Sequence, residues 1–331
     1  MSSEIRPPPH PPPSPTLTLP RLRGREGWGA GEGREGAAVP VALGDVLRRL
    51  ARGDLPANVA LMHLIMQADG PEQVSEAIRA GLVMSAATPS AHSRTNALSQ
   101  IWAQTPDAWS IVKGIASVQQ SGPRTAGPIE YWTRFFDLAA AQAADSAAAL
   151  YALGRADILD AATREVMRRL REWKVLARAS SILEIGCGTG RFIAPLAMAG
   201  YLTIGIDTSC GMLRLAKLRC RTLRSALVVR TGGDGLSMFA DSSFDAVLAI
   251  DSYPYIVAAG RELAEAHMRE TARVLRSQGQ FVILNYSYRD DPATDAHEIA
   301  RLAAECGLSI LRNGTRDFAL WDARTYLMRK P

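Results

Sequence analysis

A glycine-rich loop in the middle of the chain, Gly186-Cys187-Gly188-Thr189-Gly190, constrains the fold more than any other stretch. The apolar run 181–185 precedes it and a helical pattern over 192–198 follows, which predicts a strand, a tight turn and a helix start. Glycine allows positive φ and a close approach of the backbone to a ligand, and a helix start offers free N–H groups. The stretch therefore predicts a Rossmann-like, nucleoside-binding half of an α/β fold.

An acidic residue, Asp207, follows the next predicted strand (202–206), about 20 residues beyond the loop, where a carboxylate accepts hydrogen bonds from a ribose diol. The loop reads G-x-G-x-G, and Arg191 stands where a dinucleotide fingerprint would have its third glycine. Glu184 would repel a pyrophosphate but suits an ammonium or sulfonium group. The pattern therefore favours a nucleoside with an amino-acid part over a dinucleotide.

The segment 183–190, Leu-Glu-Ile-Gly-Cys-Gly-Thr-Gly, resembles motif I of the class I S-adenosylmethionine-dependent methyltransferases. In that family the glycine loop holds the methionine part of the cofactor, and the acid after the second strand holds the ribose. The resemblance implies S-adenosyl-L-methionine as cofactor. The cofactor-binding residues that it implies are Glu184, Gly186, Cys187, Gly188, Gly190, Asp207, Thr208, Met212, Gly233, Asp234 and Ile250.

Four later segments carry the same resemblance. Residues 205–212 are similar to the family's G-x-D-x-S-x-x-M segment, and Gly233-Asp234 resembles its acid near the adenine amine. Residues 243–248 resemble the start of its fourth strand. Residues 274–280 resemble the turn before the fifth, except that a glutamine replaces the first glycine. The resemblance covers roughly residues 130 to 331. The overall pattern of these residues is similar to that of the small-molecule subgroup, which has a helical N-terminal lid.

Strands alternate with helices from residue 181 onward, which predicts a parallel, doubly wound sheet. The expected strands are 181–185, 202–206, 226–229, 244–250, 279–285, 308–311 and 325–329, and the expected helices lie near 190–199, 210–220, 261–276 and 295–306. Gly307 marks the predicted end of the last helix. The resemblance implies a Rossmann-like seven-stranded sheet with the last strand antiparallel.

The chain before this alternation divides into three predicted parts. Residues 1–41 are rich in Pro, Gly and Arg, which predicts a disordered tail, and they lack the apolar run of a secretory signal. Residues 42–125 predict an accessory helical region, with helical spacing in the ranges 43–51, 56–68, 71–82 and 95–104. The remainder of 85–125 is turn-rich and predicts a linker. Residues 126–331 are the expected methyltransferase domain, and the resemblance implies that helices in 129–176 form a lid.

Polar side chains follow the predicted fourth and fifth strands and also occupy 317–322, and ligands of open α/β sheets bind at the carboxyl ends of the strands. Asp251 is best placed to act as a base or to orient an acceptor. Tyr255 and His267 are further candidate catalytic residues. The candidate substrate-binding residues are Tyr131, Trp132, Tyr151, Tyr253, Asn285, Tyr288 and Trp321, with ordinary core packing as the alternative for the first three.

Composition excludes several classes of protein. No apolar run of about 18 residues occurs, which argues against a membrane span. The 4 cysteines include no C-x-x-C pair, which indicates a reducing cytoplasm and no metal site. The net charge is +5, but no dense basic block interleaved with aromatics appears, which argues against nucleic acid as substrate.

The sequence thus predicts a cytoplasmic methyltransferase that uses S-adenosyl-L-methionine and acts on a small-molecule acceptor by in-line displacement. Three alternatives stay open: a methyltransferase for RNA or protein, a non-catalytic cofactor-binding or scaffold protein of the same fold, and, more distantly, a nicotinamide dehydrogenase. For the helices in 42–125, the two readings are a homodimerisation element and a cap over the substrate.

Overall fold

A computed structural model describes residues 39–121, 127–177 and 179–331. The tail expected at 1–41 lies outside the described residues up to residue 38, and helix α1 begins at Val41. The strands are β1 (Ser181–Ile185), β2 (Leu202–Asp207), β3 (Ala226–Arg230), β4 (Phe244–Ile250), β5 (Leu275–Leu284), β6 (Ser309–Arg316) and β7 (Arg324–Arg329). The helices are α1 (Val41–Arg52), α2 (Ala57–Gln67), α3 (Pro71–Ser85), α4 (Pro89–Gln104), α5 (Ala108–Ser121), α6 (Pro128–Ala148), α7 (Ala156–Glu172), α8 (Ile193–Met198), α9 (Cys210–Cys220), α10 (Tyr253–Ala259), α11 (Arg261–Val274) and α12 (Pro292–Glu305), with a 3-10 turn at Leu150–Ala152.

The seven strands form one sheet in the order β3-β2-β1-β4-β5-β7-β6. Strands β1 to β5 pair in parallel, and β7 lies antiparallel between β5 and β6. This confirms the predicted doubly wound, seven-stranded sheet with its last strand antiparallel. Gly307 takes a φ of +67° directly after α12, as the predicted helix end requires. The strand order reverses between β1 and β4, which is where ligands of such sheets bind.

Each face of the sheet packs against its own set of helices, because side chains alternate along a strand. Ile182 and Leu248 share a core with residues of α1, α2 and α7, such as Val46. Leu183 and its neighbours on the opposite face share a second core with α11 and α12, where Met268 is fully buried. The central strands β1, β4 and β5 are therefore buried on both faces, as parallel strands in the middle of such a sheet require.

The predicted linker within 85–125 is wrong over most of its length, because helices α4 and α5 occupy it. Only 122–126 lies outside the described residues. In α4 the buried side chains are Ala91, Thr95 and Leu98, and α5 buries Ala108 and Val112. These positions keep helical spacing, and the prediction of helix over 95–104 already covers most of α4. The rest was read as a linker because polar residues separate the buried positions. Within the described residues, no helix is long and apolar enough to cross a membrane.

Asn58 of α2 joins the N-terminal helices to the rest of the fold. Its side chain is 2% exposed, and Nδ2 donates to the carbonyls of Tyr151 and Leu320, both at 2.9 Å. We expect Asn58→Ala to lower the free energy of unfolding by about 2–3 kcal/mol, because both carbonyls lose their donor. Urea denaturation measures this change. The exposed Asn96 of α4 is the matched control, and Asn96→Ala is expected to cost less than about 0.5 kcal/mol. Equal effects of the two variants would contradict the prediction.

Candidate active site

The glycine loop after β1 opens onto a cavity, called here the first cavity, at the point where strand order reverses. Gly186, Gly188 and Gly190 have φ angles of +70°, +52° and +75°, which confirms the predicted left-handed turn. Most of the predicted cofactor-binding residues line this cavity: Glu184, Gly186, Cys187, Gly188, Asp207, Thr208, Met212, Gly233 and Ile250. The sheet thus brings together side chains and backbone from the ends of β1, β2 and β4.

Two glycines of the loop have different structural roles. A Cβ at Gly186 would overlap the side chain of Ser252, so glycine is required where the loop passes the end of β4. A Cβ at Gly190 would meet the backbone of Ala216 at 3.2 Å, and Gly190 does not line the cavity. The structure therefore assigns Gly190 to the packing of α9 against the loop, instead of the predicted contact with a cofactor.

Three carboxylates line the first cavity, and two of them, Glu184 and Asp207, come from β1 and β2. Asp207 accepts hydrogen bonds from the backbone N–H of Gly188 at 2.8 Å and of Ser209 at 2.9 Å. Burial raises the pKa of Asp207, and these backbone donors oppose the rise. Burial likewise raises the pKa of Glu184 well above its usual value, while Arg191 opposes the rise and Asp207 adds to it. Oε2 of Glu184 is buried without a hydrogen-bond partner in the described part of the chain, so a ligand donor would satisfy it.

Asp251 lies directly after β4, in the left-handed region with a φ of +60°. Its Oδ1 accepts hydrogen bonds from Asn285 Nδ2 at 2.9 Å and from the Tyr288 hydroxyl at 2.7 Å. Asn285 also has a positive φ, +64°, and its Oδ1 accepts from the backbone N–H of Arg324, which fixes the amide orientation. Burial raises the pKa of Asp251 to about 6, and the two hydrogen bonds oppose that rise. The described residues leave Oδ2 without a hydrogen bond.

A second cavity, of about 210 Å³, adjoins the first. Five side chains line both cavities: Trp132, Tyr151, Asp251, Tyr255 and Trp321. Asn285 and Tyr288 line only the second cavity. Seven of the predicted catalytic and substrate residues therefore surround one junction, and Asp251 is the carboxylate on the shared wall.

Four predicted site residues lie elsewhere or act differently. Tyr253 begins α10, a helix that the sequence did not predict, and is fully buried with its hydroxyl donating to the carbonyl of Ala264. Tyr131 packs edge to face on Trp132 and lines neither cavity. Asp234 is exposed and lines neither cavity, although the neighbouring Gly233 lines the first cavity. The family resemblance had suggested Tyr131 and Asp234, and the polar cluster after the fourth strand had suggested Tyr253.

The fourth, His267, lines the first cavity only. Its Nε2 lies 3.0 Å from the carbonyl oxygen of Gly233, and burial lowers its pKa. The structure therefore places His267 where it supports the Gly233 backbone, away from the wall on which Asn285 and Tyr288 hold Asp251.

Sequence reasoning missed two residues around the first cavity that the fold brings into play. Arg191, read only as a departure from a glycine fingerprint, lines the first cavity and donates to Tyr151 Oη at 2.8 Å. Asp137 of α6 accepts hydrogen bonds from the Ser209 hydroxyl at 2.6 Å and from the N–H of Gly211 at 2.7 Å. These bonds fasten α6 across the first cavity to the start of α9. No spacing rule links Asp137 to residues more than 70 positions away, so only the fold could show this contact.

Comparison with known proteins gives a family match at the same segment. Residues 183–283 match the family model described as "Methyltransferase domain". The chain is 33% identical over 107 residues to the demethylmenaquinone methyltransferase of Tropheryma whipplei (strain Twist), covering 32% of this chain and 42% of that protein. It is 29% identical over 164 residues to the ubiquinone biosynthesis O-methyltransferase of Bradyrhizobium diazoefficiens, covering 49% and 59%.

A solved structure is also similar. The magnesium protoporphyrin IX methyltransferase of Synechocystis PCC 6803 with bound S-adenosylmethionine matches at a TM-score of 0.46 and 17% identity, over 63% of this chain and 100% of that one. The chain spans about half the length of the curated relatives that it matches, 42% and 59% in the two cases above.

Proposed function

We propose, from the premise that residues 183–283 belong to the methyltransferase-domain family, that this protein transfers a methyl group from S-adenosyl-L-methionine to a small molecule. The observation that carries the proposal is the position of Asp251. Its carboxylate lies on the wall shared by the two cavities, beside the glycine loop, and accepts hydrogen bonds from Asn285 and Tyr288. A donor in the first cavity and an acceptor in the second would meet at this carboxylate.

The residues of the first cavity fit the proposed donor. The Asp207 carboxylate would accept from the ribose hydroxyls, and the unpartnered Oε2 of Glu184 would accept from the ammonium group. Gly188 leaves open space where a side chain would stand, so the backbone can approach the ligand. When bound, S-adenosyl-L-methionine supplies a methyl group already activated by its sulfonium.

The protein's own task would be to hold the acceptor in line and to remove its proton. Five side chains of the shared wall, four of them aromatic, would exclude water from the junction. Asp251 would accept the proton of an acceptor hydroxyl at Oδ2, while Asn285 and Tyr288 hold Oδ1. Asn285 and Tyr288 thereby act as positioning residues.

The rate should depend on pH through Asp251. Its pKa is raised to about 6, and the base is the ionised form, so the rate is retained above pH 6 and falls about tenfold per pH unit below it. Tyr288→Phe removes a hydrogen bond that lowers this pKa, so the acid limb of kcat should move to higher pH. Tyr326→Phe is the control, since the Tyr326 hydroxyl is buried without a partner in the described chain and lines neither cavity. An unshifted limb in Tyr288→Phe would count against Asp251 as the base.

The decisive experiment uses donor with an isotopically labelled methyl group. The full-length protein is incubated with this donor and a fractionated cell extract, and we expect label in the low-molecular-weight fraction. Label in RNA or protein would favour the macromolecular alternative. For RNA, the carboxylates Asp251, Asp290 and Asp322 around the second cavity argue against that alternative, because they would repel phosphates. Calorimetric binding of S-adenosylhomocysteine with no label transfer to any fraction would favour the non-catalytic alternative. Absence of that binding would overturn the cofactor assignment.

A further inference from the structure

The second cavity contains polar side chains that the proposed methyl transfer does not use. Arg49 of α1, His63 of α2 and Asp322 before β7 line it, and none makes a side-chain hydrogen bond or ion pair with another described residue. His63 is 9% exposed, and its ring nitrogens are not fully buried. The remaining exposure of these nitrogens is to the cavity. A side chain that is nine-tenths buried and unpartnered indicates a ligand group in the cavity.

The charges of these side chains indicate what kind of group would bind. Arg49 is a cation, Asp322 is an anion, and burial lowers the pKa of His63, which favours its neutral form. Arg49 and Asp322 both line the second cavity and do not pair with each other. Partly buried charges of opposite sign that are left apart suit a ligand with one charge of each sign, because each would find its counter-ion there.

Asp251 lines the same cavity as this polar group. The Asp322 carboxylate raises the pKa of both Asp251 and His63, so it lies within electrostatic range of each. Tyr151 and Trp321 line this cavity too, and their rings stack with centroids 5.2 Å apart and planes inclined by 19°. A flat aromatic ring packs well on such a surface.

We propose that the acceptor is a small phenol that carries an ammonium and a carboxylate group, in other words a phenolic amino acid. Its hydroxyl would meet Asp251, its ammonium Asp322, and its carboxylate Arg49 and His63. The phenolic oxygen bonds to the methyl carbon as the carbon–sulfur bond breaks, the electron pair of that bond returns to sulfur, and the phenolic proton passes to Asp251. This inference rests on the proposed function and names its acceptor class.

The proposal gives helices α1 and α2 a role in recognising the acceptor. Arg49 and His63 both come from the N-terminal helical region, whose alternatives were a dimerisation element and a cap over the substrate. If Arg49 and His63 contact the acceptor, the N-terminal helical region is a cap over the substrate that binds the carboxylate end of the acceptor.

Calorimetry on the full chain saturated with S-adenosylhomocysteine tests the proposal with four probes. These are L-tyrosine, tyramine, 3-(4-hydroxyphenyl)propionate and 4-ethylphenol, which carry both charges, one of either sign, or none. We expect L-tyrosine to bind at least about tenfold more tightly than 4-ethylphenol, with the singly charged probes between them. Equal affinities, or tighter binding of 4-ethylphenol, would overturn the proposal.

Matched variants assign the charges. Arg49→Met should reduce the affinity for L-tyrosine to that for tyramine, and Arg49→Lys should restore part of it. Asp322→Asn should reduce the affinity for L-tyrosine to that for 3-(4-hydroxyphenyl)propionate. Arg48→Met, next along α1 and paired with Asp45, is the control and should leave all four affinities unchanged.

Two failures can be told apart. Binding of S-adenosylhomocysteine is measured first, and its absence would overturn the proposed function together with this inference. Normal binding of S-adenosylhomocysteine with no preference for L-tyrosine would overturn the acceptor class alone. A preference that persists in Arg49→Met and in Asp322→Asn would also contradict the assignment.

Discussion

Replacing Asp251 by asparagine is expected to lower kcat for a hydroxyl acceptor by about 10²–10⁴-fold, the usual contribution of a positioned general base. The substitution keeps the shape of the side chain but removes the charge that accepts the proton. Oδ1 of the new amide can still accept from Asn285 and Tyr288, so the local structure should persist. Steady-state kinetics at pH 8, where wild-type Asp251 is ionised, measures the loss.

Binding of the donor provides the internal control for this variant. S-adenosylhomocysteine should bind Asp251→Asn within about twofold of wild type, because Glu184 and Asp207 are unchanged and the loss is confined to the chemical step. Asp234→Asn is a second control, since this exposed carboxylate lines neither cavity. A kcat within about threefold of wild type for Asp251→Asn would exclude the proposed base.

Replacing Asp207 by alanine should weaken binding of S-adenosylhomocysteine by about 10²–10⁴-fold. Two hydrogen bonds from the ribose hydroxyls to a carboxylate contribute about 1.5–3 kcal/mol each, and 1.4 kcal/mol corresponds to a factor of ten. The variant also removes the acceptor that holds the N–H groups of Gly188 and Ser209. Isothermal calorimetry measures the dissociation constant directly.

Two further variants make the Asp207 experiment specific. Asp207→Asn keeps one carbonyl oxygen and should show an intermediate loss. Asp234→Ala removes the acid that the sequence placed near the adenine amine, and the structure leads us to expect unchanged affinity, because that side chain is exposed. A large loss in Asp234→Ala, with none in Asp207→Ala, would reverse the two assignments.

The sheet and the lining of the first cavity could be predicted because their determinants are local in sequence. The left-handed turn at Gly186 and the acid at the end of β2 depend on residues within one β-α-β unit. Such units repeat strand, glycine turn and helix in a fixed order, so spacing alone locates them. The same reasoning located Asp251, which also ends a strand.

The second cavity, where we propose that the acceptor binds, could be predicted only in part, because it is built from distant segments. Trp321 was suggested by its aromatic neighbours, but His63 reaches the second cavity from a helix more than 200 residues earlier in the chain. A single histidine on an otherwise apolar helix has no periodic signal. The helical spacing over 95–104 predicted most of α4, but its first residues and α5 were missed because the polar residues around their buried positions were read as a linker.

The attachment of α6 to α9 through Asp137 has a consequence for turnover. The same short segment, Asp207 to Gly211, carries the proposed ribose-binding carboxylate and the two donors that bind Asp137 of α6, a helix whose residues line the first cavity. If α6 moves away from the first cavity when spent donor is exchanged for fresh, both hydrogen bonds to Asp137 break and the proposed ribose contact is disturbed at the same time. Release of the used cofactor and opening of the enzyme would then be a single concerted event, and its rate would set an upper limit on the catalytic cycle.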